Sequence, residues 1–169
     1  MAAIVRALET RPGWSARFIL SVVDREPETV RTLRNAADQS GGRVRIDVNL
    51  PHAEVKAAWE KAAIGLALTR TPEPFGRTAL ESLAGGAALI ASGLGGLAEV
   101  CGPCAVTIDP NDAGGLTAAL GALMDAPDRR AALAGAGRKR VEELFDIRTT
   151  AGRMDEFIHA CAGEGRGGA

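Results

Sequence analysis

A chain of 169 residues carrying a net charge of −1, with 46% hydrophobic and 24% charged residues, is the size and make-up of one ordinary globular domain. That balance excludes a nucleic-acid surface built on excess basic charge, and no apolar run approaches the roughly 18 residues of a membrane span. Three cysteines are too few for a disulfide framework, so a reduced, cytoplasmic setting is expected. Aromatic residues make up only 4% and tyrosine is absent, which argues against a module that stacks sugars on exposed rings. The first residues do not read as a signal peptide.

Met1 to Thr10 places Ile4 and Leu8 at helical spacing and stops before Pro12-Gly13. Arg17 to Val23 is rich in β-forming residues and reads as a buried strand. Pro27 to Gln39 is predicted helical: proline suits a first turn, Val30, Leu33 and Ala37 share a face, and Gly41-Gly42 ends it. Arg43 to Val48 alternates Val44, Ile46 and Val48 with charges, the pattern of a strand with one wetter face. Ala53 to Ala62 reads as a helix and Ile64 to Leu68 as a short buried strand. Gly76 to Ala84 is a helix, Ala88 to Ala91 a strand, and Ala105 to Ile108 another. Asp112 caps a helix running to Met124. Pro127 to Leu144 is helical despite Gly135 and Gly137, and Arg148 to Ala160 is a last helix packed with the two before it on one flank of the sheet. One domain, residues 1–162, is followed by a glycine-rich flexible tail, 163–169.

Alternating helices and strands with short connections predict an α/β fold, a doubly wound parallel sheet of Rossmann-like type covered on both faces. A doubly wound unit ordinarily begins with a strand, whereas this chain opens in a helix, so the sheet is expected to be one strand short.

The chemistry concentrates in Glu73-Pro74-Phe75-Gly76-Arg77-Thr78-Ala79-Leu80-Glu81-Ser82-Leu83-Ala84-Gly85-Gly86, then Ala87 to Ala91, then Gly95-Gly96-Leu97-Ala98-Glu99. Glu73 falls in the loop after a strand, at the carboxyl edge where α/β folds bind ligands. Gly76 opens a helix whose free N–H groups attract a phosphate. Glu81 follows about a turn and a half later, and an ionised carboxylate accepts two hydroxyl hydrogen bonds from a vicinal diol. One carboxylate can hold a sugar ring, the other a ribose, with a diphosphate between them. Gly95-Gly96 is a second loop where backbone can approach a ligand closely. Read as bland structure, Arg77 and Glu81 are a surface ion pair and Glu73 a solvated loop residue.

Those residues resemble the donor-binding domain of retaining family-4, or group 1, glycosyltransferases, and the likeness runs from about Ser15 to Ala160. The resemblance implies the carboxyl-terminal half of a two-domain GT-B enzyme that binds a nucleotide-diphosphate sugar as donor substrate, with no cofactor and no metal. It implies that Glu73 is the catalytic-site residue touching hydroxyls of the transferred sugar. Phe75 and Gly76 would offer backbone to sugar and phosphates, and Glu81 would hold the ribose diol, while Arg70 or Arg77 would supply charge in place of the family's missing cations. Gly95, Gly96 and Glu99 match the following glycine loop, and the segment near Val48 to Leu50 would lie by the base. The family's first strand and its Gly-Arg…Lys-Gly segment, which grips the diphosphate, have no counterpart here, nor does an acceptor-binding domain. The chain alone is therefore expected to bind nucleotide weakly and to transfer sugar poorly, its acceptor site being supplied by a separate domain or subunit. The alternative is a nucleotide-binding or vestigial interaction domain without catalysis.

Other motifs point elsewhere more weakly. Cys101-Gly102-Pro103-Cys104 has redox spacing, but a strand-like Ala105 to Ile108 follows where a helix is needed. Gly93 to Ala98 matches G-x-G-x-x-A without room for the long helix of a dinucleotide site. His52 and His159 read as helix-end residues, Trp14 and Trp59 as packing, and Arg138-Lys139-Arg140 as a solvated face.

Overall fold

The computed structural model describes residues 1–22 and 28–164. Elements follow in the order α1 (Ala2–Glu9), β1 (Ala16–Leu20), α2 (Glu28–Asp38), β2 (Val44–Val48), α3 (His52–Lys61), β3 (Ile64–Ala67) and α4 (Arg77–Gly85). They continue with β4 (Ala88–Ala91), α5 (Gly96–Cys101), a 3-10 turn (Gly102–Cys104), β5 (Ala105–Thr107), α6 (Ala113–Met124), α7 (Pro127–Leu144) and α8 (Ile147–Glu164). Every expected element is present to within a few residues. Val23, expected in the first strand, and Pro27, expected in the second helix, lie outside the described residues, as do residues 165–169 of the expected tail. Gly163 and Glu164, expected in that tail, continue α8. The short α5 was not foreseen.

All strand pairs are parallel. β1 runs beside β2, with Ala16 opposite Val44 and Leu20 opposite Val48. β3 pairs with β4 (Ile64 opposite Ala88), and β4 with β5 (Leu89 opposite Ala105). The hydrogen bonds divide them into two sheets, β1-β2 and β3-β4-β5. The period-2 alternation of β4 sorts the core. Ala88 and Ile90 face α1, α2 and α6, where they meet Leu8, Ala37, Leu120 and Leu123. Leu89 and Ala91 face α4 and α5, where they meet Ala79, Leu83, Leu97 and Val100. Helices on both sides leave β4 wholly buried, which is why it reads as an unbroken apolar run.

With only eight residues, α1 is too short to persist alone. Packing of Ile4, Ala7 and Leu8 against α6 holds it, and Arg11 ties its end to Asp125 with Nε donating to Oδ1 at 2.8 Å. Asp112 caps α6 as expected, its Oδ1 accepting from the Gly115 amide at 2.9 Å. Gly137 does not break α7. It lies buried against Leu83, where a Cβ would stand 2.5 Å from the Leu83 Cδ2.

Two details depart from expectation. The last three helices do not share one flank: α6 buries its apolar face beside α1, whereas α7 packs on α4, and α8 exposes Ile147, Met154, Phe157 and Ile158. α7 crosses between the sheet's two faces, Leu133 touching one core and Val141 the other. Arg138 and Lys139 do make solvated i,i+4 pairs with Glu142 and Glu143. Arg140 points inward instead, donating to the carbonyls of Val100 (2.9 Å) and Glu99 (2.7 Å) and so closing the carboxyl end of α5. No helix among the described residues is long and apolar enough to cross a membrane.

Candidate functional site

The loop from β3 to α4 is built by close backbone approach to the loop from β4 to α5. Glu73 and Gly95 form an isolated parallel bridge, and the Gly96 amide donates to the Glu73 carbonyl at 2.7 Å. A Cβ on Gly95 would stand 2.6 Å from the Glu73 carbonyl oxygen, and one on Gly96 would stand 2.7 Å from the Phe75 Cα. Gly76 has φ +100°, and a Cβ there would come within 3.0 Å of the Leu97 Cα. Only glycine satisfies these three positions, since the space a side chain needs is filled by backbone. In this structure Gly95 and Gly96 make their close approach to the motif loop rather than leaving it for a ligand. Phe75 pins the loop from outside, its half-exposed ring meeting Phe145 edge-on at 6.0 Å.

This bracing fixes the start of α4. Gly76 is the N-cap, and its carbonyl accepts from Ala79 and Leu80. Among the described residues the amides of Arg77 and Thr78 meet no acceptor, as expected of the first amides of a helix that follows a strand's carboxyl end. Glu73 lies half-buried just before this helix start. Glu81 lies one turn into the helix, where Arg77 Nε donates to its Oε1 at 2.8 Å. Arg77 is three-quarters exposed and free to release that carboxylate. Glu99 is exposed in the first turn of α5, and Arg70 is exposed on the loop before Glu73.

Beside Glu81 a small cleft runs between α3 and α4, lined by His52, Lys56, Trp59, Glu60, Glu81 and Gly85. Trp59 packs closely on Gly85 and Gly65, as a packing residue should. His52 is exposed at the start of α3, at the mouth of the cleft. At the end of β2, Asn49 adopts φ 55°, and its side-chain amide exchanges two hydrogen bonds with Val22 (2.7 and 2.9 Å), closing the carboxyl ends of β1 and β2. This clamp was not foreseen from the sequence, where its signal was an asparagine, tolerant of positive φ, directly after a strand. Phe145 and Arg140 were not foreseen either, since they act through packing that no local pattern announces.

The Cys101–Cys104 pair behaves as core. Both thiols are buried, and burial pushes Cys101 up to about 11, away from a reactive thiolate. Cys101 ends α5, whereas redox chemistry needs a cysteine at a helix start.

A family model described as "Glycosyl transferases group 1" matches residues 14–140, three-quarters of the chain. The chain belongs to the group 1 glycosyltransferases. This group 1 domain is 31% identical over 160 residues to the D-inositol 3-phosphate glycosyltransferase of Xylanimonas cellulosilytica, covering 93% of the chain and 38% of that protein. It is 37% identical over 105 residues to the glycogen synthase of Mycobacterium tuberculosis, covering 61% of the chain and 25% of that enzyme. The chain therefore spans well under half the length of these curated relatives. In fold it is similar to Anabaena Alr3699/HepE in complex with UDP-glucose, with a TM-score of 0.79 at 18% identity over 95% of the chain and 45% of that protein. It is also similar to the C-terminal domain of the Francisella tularensis group 1 protein LpcC, with a TM-score of 0.75 at 21% identity over 86% of the chain and 78% of that domain. The fold is thus the Rossmann-like α/β architecture of GT-B glycosyltransferase C-terminal domains.

Proposed function

We propose that this chain is the donor-binding half of a retaining glycosyltransferase, holding a nucleotide-diphosphate sugar for transfer to an acceptor bound by a separate domain or subunit. The observation that carries this is the braced start of α4: two amides without an acceptor among the described residues, with Glu73 before them and Glu81 one turn beyond. Anions are favoured at a helix N-terminus, where the dipole and free N–H groups coincide. In this reading the diphosphate sits at the Arg77 and Thr78 amides. Glu73 accepts hydrogen bonds from hydroxyls of the transferred sugar, and Glu81 from the ribose diol once Arg77 releases it to face the phosphates. Gly76, Gly95, Gly96 and Phe75 hold the loop in shape, and the Val48 to Leu50 end of β2 lies by the base, with Glu99 at the rim of the site.

During transfer the bond from the anomeric carbon to the diphosphate oxygen breaks and a bond to the acceptor oxygen forms. The acceptor's proton leaves to the departing diphosphate, whose charge the α4 amides and Arg77 offset. The reading requires no metal, and unchanged donor binding in EDTA is the expected outcome. The site works from the cytoplasm. Because the acceptor side lies elsewhere, the chain alone binds donor but transfers it slowly, and efficient transfer to added acceptors by the purified chain would overturn that part.

The test is calorimetric titration with UDP, GDP, ADP and UDP-glucose, the last being the ligand held by the Anabaena protein. Binding of one nucleotide series, weakened about tenfold or more in Glu81→Ala, is expected. Equal binding by wild type and Glu81→Ala would return the Arg77–Glu81 pair to a plain surface ion pair.

A further inference from the structure

We infer that Phe145, at the corner between α7 and α8, is a positioning residue for sugar recognition: its ring holds Phe75, and through Phe75 the loop that carries Glu73. The inference rests on the donor reading above and adds which residue outside the motif sets the sugar end of that site.

The motif loop is held unevenly. Its inner side is locked, because the Gly96 amide donates to the Glu73 carbonyl at 2.7 Å and Gly95 bridges to Glu73. Past Glu73 the backbone ties run out. Pro74 has no N–H to give, and among the described residues no backbone–backbone hydrogen bond anchors Pro74 or Phe75. On the outer side Phe75 meets Phe145, with ring centroids 6.0 Å apart and planes at 79°. That edge-to-face geometry is a favourable one for two aromatic rings. Phe75 stays 46% exposed, so the contact orients the ring more than it buries it.

Phe145 is placed to act as a fixed post. Gly137, Arg140, Val141 and Phe145 fall at i, i+3, i+4 and i+8, which is one face of α7. Gly137 seats Leu83 of α4, Arg140 closes the carboxyl end of α5, and Val141 and Phe145 pack on the core those helices share. The Phe145 amide donates to the Val141 carbonyl at 2.9 Å and ends α7. Asp146 then starts α8, its Oδ1 accepting from the Arg148 amide at 2.8 Å. One helix face thus backs α4, α5 and the motif loop together, and Phe145 is its contact with the loop.

Loss of the ring pair would act unevenly on the site. α4 is anchored by Ala79 and Leu83, both fully buried, so the Arg77 and Thr78 amides and Glu81 keep their places. Glu73 and Phe75 lie ahead of that helix, and it is their loop that loosens. An aromatic pair of this geometry moves an equilibrium about two- to tenfold. Removing it therefore weakens the hold of Glu73 on the transferred sugar and spares the nucleotide diphosphate.

The test compares wild type with four variants: Phe145→Leu, which keeps an apolar side chain but no ring, Phe145→Tyr, which keeps the ring, Phe75→Leu, and the double leucine variant. Exchange of the Gly96 amide reports the loop lock without any ligand. The amides of Ala88 and Ser92, which donate to the carbonyls of Ala63 and Ala67, report global stability. Beyond any change at Ala88 and Ser92, Gly96 is expected to exchange about two- to tenfold faster in each single leucine variant. It should go no faster in the double variant and should keep the wild-type rate in Phe145→Tyr. Calorimetry then compares UDP with UDP-glucose, and the ADP and GDP pairs likewise. Phe145→Leu is expected to weaken the sugar conjugate about two- to tenfold and to leave the free nucleotide within about twofold of wild type. An unchanged Gly96 rate, a rise no larger than at Ala88 and Ser92, or leucine effects that multiply in the double variant would each overturn the inference, since Phe145 would then be packing alone. So would equal weakening of nucleotide and conjugate. A wild type that binds neither is a different result: the donor reading itself falls, and the role given to Phe145 falls with it.

Discussion

The β3-β4-β5 half of the molecule and the β1-β2 half are built from the same parallel units but reach different degrees of completion. In the first, β4 is enclosed by strands and helices, and two loops at its carboxyl edge lock backbone to backbone through Gly76, Gly95 and Gly96. In the second, the strands are half-covered, and an Asn49 clamp and an Arg17–Asp47–Arg45 ion cluster hold them together. The candidate site lies in the first half at every residue where geometry must be exact, and only its neighbour to the base lies in the second. In the donor reading proposed above, the half with backbone locked to backbone would meet the diphosphate and the half-covered one the base.

Matched core deletions sharpen that contrast most. Leu83 is fully buried against Gly137 and Ala79, so Leu83→Ala should cost about 3–5 kcal/mol. Phe18→Ala removes a larger side chain but one only partly buried in β1, and should cost about 1–2 kcal/mol. Urea denaturation of both variants checks this. Equal losses would mean that the two halves are equally packed. Next in size, Gly96→Ala drives a methyl into the backbone of Pro74 and Phe75 and should cost about 2–3 kcal/mol while abolishing nucleotide binding. Its control is Gly135→Ala, at an exposed mid-helix position with nothing near the new methyl, which should gain up to about 1 kcal/mol. Smaller again in stability, Glu81→Ala removes an exposed ion pair worth less than about 0.5 kcal/mol. That variant should melt like wild type while losing donor affinity, a split that a purely structural glutamate would not give.

The same contrast explains what was legible in the sequence. Strand identity and the α4 motif could be read because apolar runs, proline and glycine positions and charged pairs are local signals. The need for glycine at 95 and 96 was visible, but its reason, contact with Glu73 and Pro74, joins residues 22 positions apart and leaves no local trace. At six residues, α5 is shorter than the stretch over which helical periodicity can be seen.

The two halves should also fail at opposite ends of the pH scale. Asp47 in β2 is held between two arginines, Arg17 Nε reaching Oδ2 at 2.6 Å and Arg45 Nη2 reaching Oδ1 at 2.8 Å. Hydrogen bonds from Arg45 first and Arg17 second hold its carboxyl below the ordinary aspartate value of about 3.9. A lowered native value means that the stabilisation is present above the unfolded value and is lost as pH falls through the native one. Cys101 is the reverse. Burial raises it to about 11, so the stability linked to its neutral thiol is complete below the unfolded value of about 8.5 and falls away as pH climbs from there toward 11. No tyrosine is present to titrate in that window. Thermal melts from acid to alkaline pH should therefore show Asp47→Asn flattening only the acid limb and Cys101→Ala only the alkaline one. A single variant that moved both limbs would mean that the two halves titrate as one cooperative unit, and the difference drawn between them would not survive.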